Sequence, residues 1–232
     1  MDSHHHDIIR LAWSRHLGLE DSALRPGERH IKIDPDATSV TFVRLGDASA
    51  LIGPEIAVSE ASAYTDEELS VREFLGALGT GRSQGPVILS FADDVGTTID
   101  RHDPLISHDL AHVLSLDALC APDDVIAADL TRKQSWFTLL SDSEPAETAQ
   151  PLASAGYLEW AGVLADIGVL TSPTARRHGN AQVVARLATN DSFDEGMIPQ
   201  WRTNSENGTS RRLAARLGYE EWGVFVSVEI SK

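Results

Sequence analysis

Residues 163–181 constrain this chain more than any other stretch: a strand-like apolar run ends at Pro173, a short loop carries Arg176-Arg177-His178, and Gly179 opens a segment of helical spacing with small early residues. Strand, stop, basic loop and helix in this order point to an α/β layer. The first amides of a helix have no intrahelical acceptor and carry the positive end of the helix dipole, so this junction reads as an anion cradle able to take a diphosphate. Gly179 and Ala181 keep side chains out of the way, while Arg176 or Arg177 adds charge.

Residues 7–17 place Ile8, Leu11, Ala12 and Ile9, Trp13, Leu17 at helical spacing, with Gly18 as the stop. A turn-rich segment around Pro26-Gly27 and Asp34-Pro35 follows, then a strand over 39–45 with a hairpin partner at 50–52. Thr65 and Glu68 form a capping-box pattern that leads into a helix through 74–78. The glycine-rich stretch 79–86 lacks large apolar residues and reads as a linker, dividing an N-terminal region, 1–80, from a domain, 86–232. In that domain the pattern predicts a strand at 87–91, helices at 105–119 and 123–130, and strands at 135–140, 152–160 and 163–171. A helix at 179–189, a strand at 197–203, a helix at 208–217 and a strand at 222–230 complete it. Consecutive strands with interspersed helices imply a mixed, largely antiparallel α/β sheet with flanking helices, preceded by a small α+β N-terminal region.

The chain carries 35 acidic against 19 basic residues, a formal charge of −16. A protein that grips nucleic acid needs a basic face, and the basic clusters here are only two or three residues long, so nucleic acid is excluded as a partner. The field instead favours a cationic small molecule. The longest apolar run, 160–170, is interrupted by Asp166, so no membrane span is expected. The single cysteine, Cys120, cannot form an internal disulfide, and the N-terminus lacks the basic-then-apolar pattern of an export signal, which points to the cytoplasm. His4-His5-His6 cannot all turn to one centre on regular backbone, so no metal is expected.

The loop resembles the pyrophosphate loop of the GNAT family of acyl-CoA-dependent N-acetyltransferases, Arg/Gln-x-x-Gly-x-Gly/Ala, with Arg176, Gly179 and Ala181 at its three positions. A second match follows: Asn207-Gly208-Thr209-Ser210, a short helix and Leu217-Gly218-Tyr219 are similar to the family's closing Asn-x-x-Ser/Ala and Leu-Gly-Phe/Tyr elements. The resemblance covers about 163–219, extends back to Val87 by element order, and leaves residues before 80 unmatched. It implies acetyl-CoA as cosubstrate and direct attack of a primary amine on the thioester. By matching position it puts backbone of Val169, Leu170 and Thr171 on the pantetheine arm, where an amide polarises the thioester carbonyl. It likewise puts Arg176, Arg177, His178, Gly179, Asn180 and Ala181 on the pyrophosphate, and Asn207 with Ser210 on the pantetheine end.

An attacking ammonium must first lose a proton. Asp166 stands where some family members place a glutamate base, on the strand face of Gly168 and Leu170; Glu159, near the end of the preceding strand, is the second candidate. The sequence departs from the family at Ala214, where many members carry a tyrosine that protonates the leaving thiolate. The reading is therefore an N-acetyltransferase acting on a cationic amine, with an acyl-CoA-binding sensor or degenerate domain as the alternative. The N-terminal region shapes the acceptor pocket, packs a homodimer or completes the sheet, and the sequence does not choose among these.

Overall fold

The computed structural model of the chain describes residues 1–71, 83–95, 105–141 and 149–230; the helix expected through 74–78 lies outside them. The strands are β1 (Arg29–Ile33), β2 (Ser39–Leu45), β3 (Ala48–Gly53), β4 (Ser83–Phe91), β5 (Ile106–Ser107), β6 (Ser135–Leu140), β7 (Pro151–Trp160), β8 (Leu164–Thr171), β9 (Ile198–Asn204) and β10 (Glu220–Glu229). The helices are α1 (Ser3–His16), α2 (Glu55–Ala61), α3 (Asp66–Leu69), α4 (Leu110–Asp117), α5 (Pro122–Ala128), α6 (Asn180–Asp194) and α7 (Gly208–Arg216). They form two compact units. The first holds Met1–Phe91, Arg202–Ala214 and Glu220–Lys232; the second holds Ala92–Trp201 and Ala215–Tyr219.

In the first unit the strands lie in the order β1-β3-β2-β10-β4, with β1 parallel to β3 and the remaining pairs antiparallel. Side-chain alternation along β10 explains its two faces. Val224, Val226 and Val228 join Val40, Phe42 and Leu51 beneath Ala57 and Val58 of α2 and Leu69 of α3. The intervening Phe225 meets Trp13 of α1, ring to ring at 5.8 Å, on the other face. The turn-rich segment of the sequence contains β1, an edge strand whose Ile31 and Ile33 are exposed, so its apolar residues point the wrong way for the usual strand signal. The stretch read as a linker is described from Ser83 onward, and from there it is strand paired with β10.

The second unit orders its strands β9-β8-β7-β6-β5; β8 and β9 run parallel and the others antiparallel. Mixed, mostly antiparallel pairing with flanking helices is the architecture the sequence predicts. One face packs Leu170 against Val113 and Leu116 of α4 and against Ala128 and Leu130. The opposite face carries α6, where the Tyr157 hydroxyl donates to Asp191 Oδ2 at 2.5 Å. The helix expected from residue 105 begins later, because Ile106 and Ser107 pair with β6 and Asp109 caps α4 by accepting from the Ala111 amide. Helix α6 also runs past the expected end at 189. It stops where Gly196, at φ +76°, lets the Gly196 and Met197 amides donate back to the Phe193 and Ser192 carbonyls.

Two glycines settle how α5 and the turn after it lie on this sheet. Gly156 and Gly168 are directly paired across β7 and β8. A Cβ at Gly168 would overlap the Ala128 carbonyl oxygen and crowd Lys133 Cε, and one at Gly156 would lie 2.5 Å from the Ser135 carbonyl oxygen and 3.3 Å from Lys133 Cβ. The pair forms a trough that holds the Lys133 side chain flat on the sheet.

Candidate functional site

Strand β8 is flanked on both sides over 164–167 and on one side only beyond it. Its residues pair with β7 from Leu164 to Thr171, whereas the register with β9 runs from Leu164↔Ile198 to Ile167↔Trp201. From 168 to 171 the β9 side has no register partner among the described residues. Peptide groups in a strand face its two edges alternately, so part of the backbone of Val169, Leu170 and Thr171 is presented along that edge.

The chain then makes a short 3-10 turn, Pro173–Ala175, and reaches the loop. Arg177 and Gly179 both take left-handed backbone, at φ +66° and +79°. Gly179 is the residue before α6, it offers no side-chain cap, and a Cβ there would meet nothing within 4 Å. Glycine is needed for conformation, and the space above it is open. The first helical bonds are those of the Gln182 and Val183 amides to the Gly179 carbonyl. The five amides of 177–181 donate to no acceptor among the described residues. Asn180 braces the turn from inside, its buried Nδ2 donating to the Ala175 carbonyl at 3.0 Å. These features fit a diphosphate.

Arg177 and His178 are exposed beside these amides. Arg176 is differently placed: its Nη2 lies 2.8 Å from Asp124 Oδ2 on α5, and its Nε donates to the Thr171 carbonyl at 3.4 Å. Cys120 also reaches the end of β8, with Sγ 3.7 Å from the Thr171 carbonyl oxygen. Burial raises this thiol's pKa, while neighbouring Arg176 pulls the other way.

Of the two candidate bases, Asp166 is 4% exposed and its Oδ2 lies 2.7 Å from Lys133 Nζ, the ammonium that arrives through the glycine trough. Glu159 is exposed, and its register partner is Ala165, about 13 Å along β8 from Val169. It stands with Tyr157, Asp191 and Glu195 around a separate cleft. Asn207 and Ser210 belong to the first unit, where Asn207 Oδ1 accepts from the Ser210 amide at 3.0 Å and so caps α7. Tyr219 packs: its hydroxyl is 2.8 Å from Thr189 Oγ1, its ring meets Trp201 edge-on, and burial raises its pKa.

The sequence reading missed Lys133 and Asp124. Each meets its partner across 33 and 52 residues of chain, respectively, and no local pattern announces either. Among the described residues no group of three or more histidine, cysteine or carboxylate side chains is placed to hold a metal ion, and no helix is long and apolar enough to cross a membrane.

Residues 153–225 match the family model for GNAT acetyltransferase. A solved GNAT-family protein from Novosphingobium aromaticivorans is similar over 65% of this chain, at 18% identity and a TM-score of 0.50; the match spans 66% of that protein, just under two thirds of its length. A GNAT-family acetyltransferase from Colwellia psychrerythraea is similar over 80% of this chain and 77% of its own, at 16% identity and a TM-score of 0.50. At these identities the likeness establishes the fold. No curated protein matches the chain.

Proposed function

We propose, from the match of residues 153–225 to the GNAT acetyltransferase family model, that this chain transfers an acetyl or other short acyl group from acyl-CoA to an amine. One observation carries the reading: five consecutive amides without a protein acceptor stand at an uncapped helix start, directly after a strand with an open edge. Acetyl-CoA, when bound, supplies the activated acyl group as a thioester. The amides of 177–181 and the Arg177 guanidinium would hold the diphosphate, with Arg176 joining them once it leaves Asp124. Backbone of Val169, Leu170 and Thr171 would hold the pantetheine arm and polarise the carbonyl without a dedicated side chain. A free thiol has a pKa near about 8.5, so CoA can leave as a thiolate without a general acid. The net charge of −16 supports a cationic acceptor.

In this reading Asp166, whose Oδ2 lies 2.7 Å from Lys133 Nζ, is the base nearer the open edge and is reached through water. Glu159 is the weaker choice on distance. The same ion pair favours a second reading, an acyl-CoA-binding domain without transfer, because a carboxylate already matched to a buried ammonium has little reason to take a proton.

Calorimetric titration with acetyl-CoA, with ATP as control, tests the cradle: selective micromolar binding is expected, and its absence overturns the assignment. Amine-dependent thiol release then separates the two readings. Asp166→Asn should slow transfer while leaving acetyl-CoA affinity nearly intact, and an unchanged pH-rate profile would remove Asp166 as the base.

A further inference from the structure

Arg186, in the second turn of α6, is 8% exposed, and neither its buried Nε nor its buried Nη1 meets an acceptor among the described residues. A guanidinium cannot shed its charge when buried, so leaving its donors unmatched is costly. Its neighbours on the same helix stripe, Gln182, Thr189 and Asn190, are not acidic. Asp166 is no substitute, because strand alternation puts it on the other face of the sheet with Gly168, where Lys133 Nζ lies 2.7 Å from it.

The fold fixes what this guanidinium faces. Strands β8 and β9 are parallel and joined by α6, so the helix runs back against their direction. Its Thr189 Oγ1 lies 2.8 Å from the Tyr219 hydroxyl, and the Tyr219 ring meets Trp201, the register partner of Ile167 where β8 and β9 cease to pair. Arg186 precedes Thr189 by three residues, about 4.5 Å along the axis on the same stripe, toward the C-terminal end of β8. It therefore stands past the last register pair, beside the open edge of 168–171, and a long helical side chain leans further the same way, toward the helix start. Burial raises the Tyr219 pKa and the Arg186 charge opposes that rise, in keeping with this placement.

We propose that Arg186 binds a carboxylate at the end of the acyl chain, so that the preferred donor is a dicarboxylic acyl-CoA. This rests on the acyl-CoA reading above and names the donor within it. A carboxylate can accept from two guanidinium nitrogens at once, which is the match a buried fork lacks. Two observations assign it to the donor and not to the acceptor. Arg186 lies about 9 Å along α6 from Asn180, on the sheet face that carries the cradle's helix, so a CoA thioester lying along the open edge reaches it without crossing the sheet. The net charge of −16 disfavours an anion arriving free from solvent, whereas one tethered to CoA is carried in by the cradle.

The test is calorimetric titration of the full chain with malonyl-, succinyl- and glutaryl-CoA, each against the neutral thioester of equal chain length, propionyl-, butyryl- and pentanoyl-CoA. At least one dicarboxylic thioester is expected to bind about tenfold or more tightly than its neutral counterpart. Arg186→Met replaces a lone buried charge with an apolar chain, should keep or raise the melting temperature, and should bring that ratio to about one. Arg186→Lys keeps the charge, loses the fork and should fall between. Binding of the thioesters with no preference for a carboxylate in any pair, or a preference that survives Arg186→Met, would overturn this proposal alone. Failure of every thioester to bind would overturn the acyl-CoA reading and this proposal together.

Discussion

Helices α3 and α6 begin in opposite ways. At α3, Thr65 accepts from the Glu68 amide while the Glu68 carboxylate accepts from the Thr65 amide, so the start is closed by its own side chains. At α6 the preceding residue is a glycine without a side chain and with open space above it, no acid stands in the first turn, and the amides of 177–181 have no acceptor among the described residues. The capped start serves stability, since satisfying those donors internally strengthens the helix. The bare start forgoes that gain and leaves its donors for something outside the chain. The difference teaches that an unsatisfied helix start gains meaning from what surrounds it, here an open strand edge and two adjoining basic side chains.

Five substitutions would break or sharpen this contrast. The largest effect is expected at the floor beneath the bare helix start's strand: Lys133→Met removes the ammonium side of a buried ion pair and should cost about 3–5 kcal/mol in thermal unfolding. Adding Asp166→Leu should restore most of that loss. Next, Gly179→Asp sets a carboxylate against the diphosphate and should weaken acetyl-CoA binding by about tenfold or more, read by calorimetry. Retained wild-type affinity would remove the distinction between the two helix starts. Thr65→Ala, the matching change at the capped start, should cost about 1 kcal/mol, or about 2–4 °C in melting temperature, and leave acetyl-CoA affinity alone. The smallest change is expected from Asp124→Asn, which releases Arg176 from a half-exposed ion pair. Acetyl-CoA affinity should rise about two- to fivefold, more so at low ionic strength.

How far these features are legible in the sequence follows from the range of the forces that make them. Strands β6 to β8, the loop at 176–181 and the α3 capping box show themselves within a few residues, because apolar alternation, a proline stop and a Thr-x-x-Glu spacing are local signals. The far end of α6 was not legible: the expected helix stops at 189, because the polar residues near 190 mask its continuation to Asp194. Edge strand β1 was not, because its isoleucines face solvent. The Lys133–Asp166 and Arg176–Asp124 pairs were invisible for a different reason: each exists only once the sheet and α5 are assembled. Asp166 could be named as a candidate base from its strand position, but its burial beside an ammonium is a product of the packed fold.

The trough formed by Gly156 and Gly168 has a consequence for strand alignment. Sliding β7 past β8 by one residue would set Gly156 opposite Ile167 or Val169 in place of Gly168, and a side chain would then stand beside one half of the groove that Lys133 occupies. Such a slip also sends every β7 side chain to the opposite face. The ammonium would lose its path to Asp166 at the same step. Two residues with no side chains thus act as a key for register: the alignment that opens the trough is the alignment that closes the ion pair, and it places 168–171 at the strand edge with their amides in position.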